Sequence, residues 1–221
     1  MKQLFNSFAT TLTLLAIVLV AAGRVGYWQA WVYAVVSTAM NLSMRLVLRS
    51  APDVANERAK PGEGAKRWDK ALLGLGFLFT LMTLVVAGLD SGRFHWPPQL
   101  TWGWCVAGVA LTAAGMVIFL LAMKENRFFS AVVRVQTERG HTVCKTGPYS
   151  VVRHPGNAGM IIGSMGLPLL FMSTWSGIPV LLSLLVLIAR TSLEDATLQN
   201  ELAGYREYQR TTRFRLVPGV W

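Results

Sequence analysis

Arg190 and Glu194 stand four residues apart, directly after the apolar run Leu184-Leu185-Val186-Leu187-Ile188-Ala189. On a helix that spacing puts both side chains on one face, and Glu201, a further seven residues on, returns to roughly the same face. On an exposed helix such a pair is an ion pair of little energetic worth. At the point where a helix leaves a bilayer, charged groups are costly to place and mark a site that holds a polar ligand. A second constellation, Gly147-Pro148-Tyr149 and then Arg153-His154-Pro155-Gly156, precedes another apolar segment. A basic membrane anchor followed by a helix-starting proline accounts for Arg153 and Pro155. It does not account for His154, so anchor and functional group both stay open. Asn157 and Gly159 fall in the first turn of the helix that follows, where unpaired backbone N–H groups favour a carboxylate or phosphate.

Other candidate chemistry is sparse. His95, beside Trp96, reads as an interfacial or turn residue, and His141 in a polar loop is ambiguous alone. Cys105 and Cys144 have no metal-ligand spacing, and no His, Cys or acidic cluster suggests a metal site. Gly62-Glu63-Gly64 and Gly74-Leu75-Gly76 lack the strand and helix that a nucleotide loop needs. The basic tail Arg206, Arg210, Arg213 and Arg215 fits contact with anionic lipid.

The elements that would position these residues are membrane helices. The 221 residues are 53% hydrophobic and 14% charged, with mean hydropathy +0.43, whereas a soluble domain carries about 25% charged residues. Apolar segments run over about Phe8–Ala22, Trp31–Leu48, Ala71–Leu89, Leu100–Met123, Asn157–Met172 and Ile178–Ala189. The last two are short for a span of ~20 residues. They predict a tilted hairpin, with Gly159, Gly163 and Gly166 allowing close helix approach. A separate cytoplasmic C-terminal helix is expected over Thr191–Tyr208, and a polar loop over Arg49–Lys70. The expected fold is thus all-α, a single polytopic membrane bundle of about six transmembrane helices. Residues 1–123 hold four of them, and residues 124–221 form the catalytic region.

With six spans, Arg24 and Arg93 alone among the 21 lysines and arginines fall on the side away from the termini. The excess of basic loops then puts both termini in the cytoplasm. The net charge of +10 reflects that asymmetry rather than a nucleic-acid partner. The lipid bilayer itself is the expected environment, with anionic lipid at the basic face.

The ordered set Gly147-Pro148-Tyr149, Arg153-His154-Pro155-x-x-x-Gly159, Arg190-x-x-x-Glu194 and Gly204-Tyr205-x-x-Tyr208 resembles the integral-membrane methyltransferases, namely the isoprenylcysteine carboxyl methyltransferases and phospholipid N-methyltransferases. The resemblance covers roughly Asn126–Trp221, and the ending Arg213–Trp221 looks like bacterial members, which implies an inner-membrane protein. It implies S-adenosylmethionine as cofactor and a lipophilic methyl acceptor. By the family pattern, Gln136, His141, Thr142, Val143, Cys144, Tyr149, Arg153, His154, Pro155, Gly156 and Glu194 would bind the cofactor, joined by Asn157 and Gly159 in the first turn of the following helix. Arg190 would face the acceptor and act with Glu194 in catalysis. Two departures stand out: Asn157 replaces the usual tyrosine, and Glu194-Asp195 replaces a Glu-Glu pair. The residues leave two alternatives: an NADPH-dependent membrane reductase of sterol-reductase type, whose Arg-His-Pro stretch is similar, and a non-catalytic membrane protein.

Overall fold

The computed structural model describes residues 2–221, with side chains from Phe8 onward. The described residues form an all-α structure. Its helices are α1 (Lys2–Ala22), α2 (Trp28–Arg49), α3 (Pro52–Ala59), α4 (Arg67–Ala87), α5 (Trp102–Glu125), α6 (Pro155–Leu170), α7 (Gly177–Glu201) and α8 (Tyr205–Thr211). Four stretches are long and apolar enough to cross a membrane: Trp28–Arg49, Arg67–Phe94, Trp102–Glu125 and Gly177–Glu201. The shorter apolar stretch Phe8–Ala22 of α1 and the 16-residue α6 complete the expected set of about six.

One end of the bundle is closed by polar bonds between its turns. Tyr27 Oη donates to the Phe171 carbonyl (3.0 Å). Ser173 Oγ donates to Asp90 (2.7 Å), and Trp175 Nε1 to the Pro97 carbonyl (3.0 Å). Within this end, Leu15, Val18, Tyr27, Leu84 and Phe171 form a buried apolar cluster. The motif residues all lie at the opposite end.

The glycines expected on α6 do bring two helices together. A Cβ on Gly115 of α5 would stand 2.3 Å from the Gly163 nitrogen. One on Gly166 would stand 2.6 Å from the Gly108 carbonyl, so backbone meets backbone along the α5–α6 seam. Because α6 begins at Pro155, this seam fixes where Arg153 and His154 enter the site.

Two expectations are corrected. The predicted break near Ala189 does not exist: α7 runs unbroken from Gly177 to Glu201, because no glycine or proline falls between Pro179 and Gly204. The helix ends at Glu201, capped by Leu202, and Gly204, at φ +79°, takes the left-handed conformation that turns the chain back into α8. The C-terminal helix expected over Thr191–Tyr208 is therefore the end of α7 plus a separate short helix. The loop expected over Arg49–Lys70 is likewise interrupted by α3, which starts on Pro52.

Candidate active site

Three carboxylates organise the motif end. Asp69, fully buried in the first turn of α4, accepts from Arg190 Nε (2.8 Å) and from the Val133 backbone N–H (2.7 Å). Arg190 Nη1 donates to Asn157 Oδ1 (3.0 Å) and approaches Glu194 Oε2 (3.5 Å). Asn157 Nδ2 donates to the same Glu194 oxygen (2.8 Å) and to Thr191 Oγ1 (3.1 Å). The helical i, i+4 relation between Arg190 and Glu194 thus holds, and Asn157 locks the pair to α6. The Asn157 amide thus bridges Arg190 and Glu194.

Asp195 points the other way and is 2% exposed. It accepts from Arg153 Nε (2.8 Å) and Nη2 (3.0 Å), Tyr205 Oη (2.8 Å), Arg215 Nε (2.9 Å) and Gln209 Nε2 (3.2 Å). His154 Nε2 lies 3.0 Å from its Oδ1. Arg153 Nη1 donates to the Thr212 and Arg213 carbonyls, and the Arg153 and His154 backbone N–H groups donate to Phe214 and Arg215. The Arg153-His154 motif is therefore pinned between α7 and the C-terminal tail. The other His154 nitrogen, Nδ1, stands 3.7 Å from Glu194.

Arg153, His154, Asn157, Arg190, Glu194 and Tyr205 border a cavity of about 420 Å³, within the size range of small-ligand sites. Of the residues expected to contact a cofactor or acceptor, His141, Val143, Cys144, Tyr149, Arg153, His154, Gly156, Asn157, Arg190 and Glu194 line it. Gln136, Thr142, Pro155 and Gly159 do not. Gln136 is fully buried behind the wall, donating to the Phe128 carbonyl (2.7 Å) and accepting from Arg139. Gly159 faces α5, where a Cβ would meet the Gly115 carbonyl at 2.6 Å.

His141 stacks on Phe128 (4.4 Å between centroids), and its Nδ1 accepts from the Gln136 N–H (3.2 Å). Burial, then the nearby Arg139 and Arg134, pull its pKa down to about 4, so it lines the cavity as a neutral aromatic. Burial likewise pushes the phenols of Tyr149, Tyr205 and Tyr208 up, so they stay protonated.

Sequence reasoning missed the counter-ions and one wall. Asp69 and Arg190 lie 121 residues apart, and no local pattern links them. Asp195, noted in the sequence only as a departure from a Glu-Glu pair, anchors the motif through Arg153 and His154. Arg58 on α3, Leu73 on α4 and Phe119 on α5 also border the cavity, so the site draws on the first 123 residues as well. The segment around α3 folds over it through Arg134, which bonds Glu57 (Nε–Oε1 and Nη2–Oε2, both 2.9 Å) and Glu138. That pairing holds the Glu57 carboxyl below the usual range.

No curated protein sequence matches the chain. The sequence model of the phospholipid methyltransferase family matches residues 104–203. That stretch contains nearly all of α5, all of α6 and α7, and the loop between α5 and α6. It supports a membrane methyltransferase. Residues 104–203 of this chain thus carry the pattern of the phospholipid methyltransferases, the kinship that its ordered motifs resemble.

Proposed function

We propose that the protein is an S-adenosylmethionine-dependent methyltransferase acting on a lipophilic acceptor, with the cavity between α6, α7 and α8 as its active site. The observation that carries this reading is Glu194. Its side chain is 24% exposed and borders the cavity, whereas the neighbouring carboxylates Asp69 and Asp195 lie behind the wall, each paired with a buried arginine. A carboxylate left partly open at an aromatic-lined cavity suits a cationic sulfonium cofactor. Tyr149, Tyr205, Phe128 and His141 offer faces for a nucleobase. The residues present therefore fit the cofactor.

When bound, the cofactor supplies a methyl carbon: the acceptor's lone pair bonds to that carbon while the carbon–sulfur bond breaks, its electron pair leaving on a neutral thioether. The chain's task is alignment, which can supply up to about 7–11 kcal/mol. Glu194 holds positive charge at one place, fixed by Asn157 and Arg190. Arg190, held by Asp69 and Asn157, has a set orientation toward the acceptor. The buried Arg153–Asp195 pair holds the segment entering α6 against α7. Leu73, Phe119 and Met160, from three membrane helices, give the cavity an apolar wall for a lipid tail.

In this reading the motif end faces the cytoplasm of a bacterial inner membrane, with Arg206, Arg210 and Arg213 meeting anionic lipid. Carboxyl O-methylation and lipid N-methylation both fit an aligned displacement. Calorimetry on the purified protein with S-adenosylmethionine, and with NADPH in parallel, tests the assignment. Saturable S-adenosylmethionine binding that disappears in Glu194→Ala is expected. Binding of NADPH instead would overturn it in favour of a reductase.

A further inference from the structure

Arg58 is the unusual cation of the cavity wall. Every other arginine there has a carboxylate. Arg134 has Glu57 and Glu138, Arg153 has Asp195, and Arg190 has Asp69 and Glu194. Arg58 has no ion pair or hydrogen-bonded side chain among the described residues. Its sequence neighbour Glu57 is turned away to Arg134 and Ser130. The Arg58 guanidinium instead lies over two rings, 5.8 Å from the Phe119 centroid and 5.6 Å from that of Phe129.

Those rings are themselves fixed. They meet edge to face at 5.3 Å, and Phe129 packs on Gly156, where a Cβ would stand 2.9 Å from the ring. Arg58 is thus held at a set point beside the first turn of α6, half-buried and without a counter-ion. Ring faces attract a cation but do not accept its in-plane N–H donors. A partly desolvated charge without a partner is unfavourable, and burial accordingly pulls the Arg58 pKa down. The planar fork of a guanidinium matches carboxylate and phosphate oxygens.

We propose that Arg58 is the specificity-determining residue for the methyl acceptor, holding a carboxylate or phosphate oxyanion on a lipophilic acceptor in the cavity. The proposal rests on the methyltransferase reading, and it divides the site's labour. Glu194 takes positive charge at the α6–α7 side, and Arg58 takes negative charge at the wall formed by α3, Phe119 and Phe129. The rings of Phe119 and Phe129 under Arg58, with Leu73 and Met160 elsewhere in the cavity lining, suit the adjoining hydrocarbon.

The test uses the full chain in phosphatidylcholine nanodiscs, with dodecanoate, dodecyl phosphate and uncharged dodecanol as probes in calorimetry. Wild type is expected to bind at least one of the two anions at least about tenfold more tightly than dodecanol. Arg58→Gln should weaken the preferred anion by about ten- to a hundredfold, the range for charge-assisted hydrogen bonds. S-adenosylmethionine affinity should be the same in both proteins. The tighter anion identifies the oxyanion as carboxylate or phosphate. Equal binding of anion by wild type and Arg58→Gln would overturn the proposal. So would dodecanol binding as tightly as both anions in wild type, a comparison that needs no variant. Absence of S-adenosylmethionine binding in wild type would instead strike the underlying methyltransferase reading.

Discussion

Replacing Asp195 by asparagine keeps the side-chain volume and removes one charge from the most connected carboxylate in the protein. Asp195 is 2% exposed, and the side chain of its principal partner Arg153 is 6% exposed. Both charges have left water, so an asparagine leaves the Arg153 guanidinium buried with only the Thr212 and Arg213 carbonyls and one amide oxygen. Breaking a buried pair from one side costs about 3–5 kcal/mol. Arg215 adds little, since it is a third exposed and such pairs are worth at most about 1 kcal/mol. We expect Asp195→Asn to lower stability by about 3–5 kcal/mol, read from unfolding curves in mixed micelles by tryptophan fluorescence. Adding Arg153→Met should recover part of that loss, because the stranded charge is removed with its partner. The loss should also free the tail, giving faster proteolysis after Arg210 and Arg213. A loss below about 1 kcal/mol, or no recovery in the double variant, would refute the assignment of Asp195 as the buried anchor.

Gly115→Ala should destabilise by about 1–3 kcal/mol in the same unfolding assay, since its methyl would stand 2.3 Å from the Gly163 nitrogen. Gly74→Ala, with open space around it on α4, should be neutral or stabilising by up to about 1 kcal/mol. His141 gives a pH signature. Its pKa is lower folded, at about 4, than unfolded, at about 6.5, so the unfolded chain binds the extra proton first. Its contribution to stability is full above about pH 6.5 and is lost as pH falls toward 4. Wild type should therefore lose stability over that window more steeply than His141→Asn, and parallel melting-temperature profiles would contradict this. Glu57→Gln leaves Arg134, whose side chain is 3% exposed, without its two-point partner. It should loosen α3, seen as faster amide exchange over residues 52–59 and 130–134, with α6 exchange unchanged.

The helices were legible because apolar runs and helical phase are local properties. Arg190 and Glu194 share a face in the sequence for the same reason that they do in the fold. The continuity of α7 was obscured by a change of polarity at Arg190. Polarity marks where a helix leaves an apolar layer and does not stop it; the stop needed Gly204, whose φ of +79° ends the run. The motif residues Arg153 and His154 could be found by their placement before an apolar segment. Their orientation could not, because it depends on Asp195 and on carbonyls of residues 212–215. Asp69 and Arg58 were hidden for a related reason. Each belongs to an early polar stretch, and its partner or cavity lies far along the chain, where no spacing carries the information.

In the proposed function, this cavity moves a methyl group from S-adenosylmethionine to a lipid-soluble acceptor. The direct measurement incubates the purified protein, in nanodiscs made from bacterial total lipid, with S-adenosylmethionine labelled in its methyl group, and counts label in the organic extract. Time-dependent label in the lipid fraction, reduced to background by Glu194→Ala in a protein that still folds, is the predicted result. Label that stays in the aqueous phase for wild type, while the same protein binds the cofactor at Glu194, would contradict the lipophilic-acceptor account.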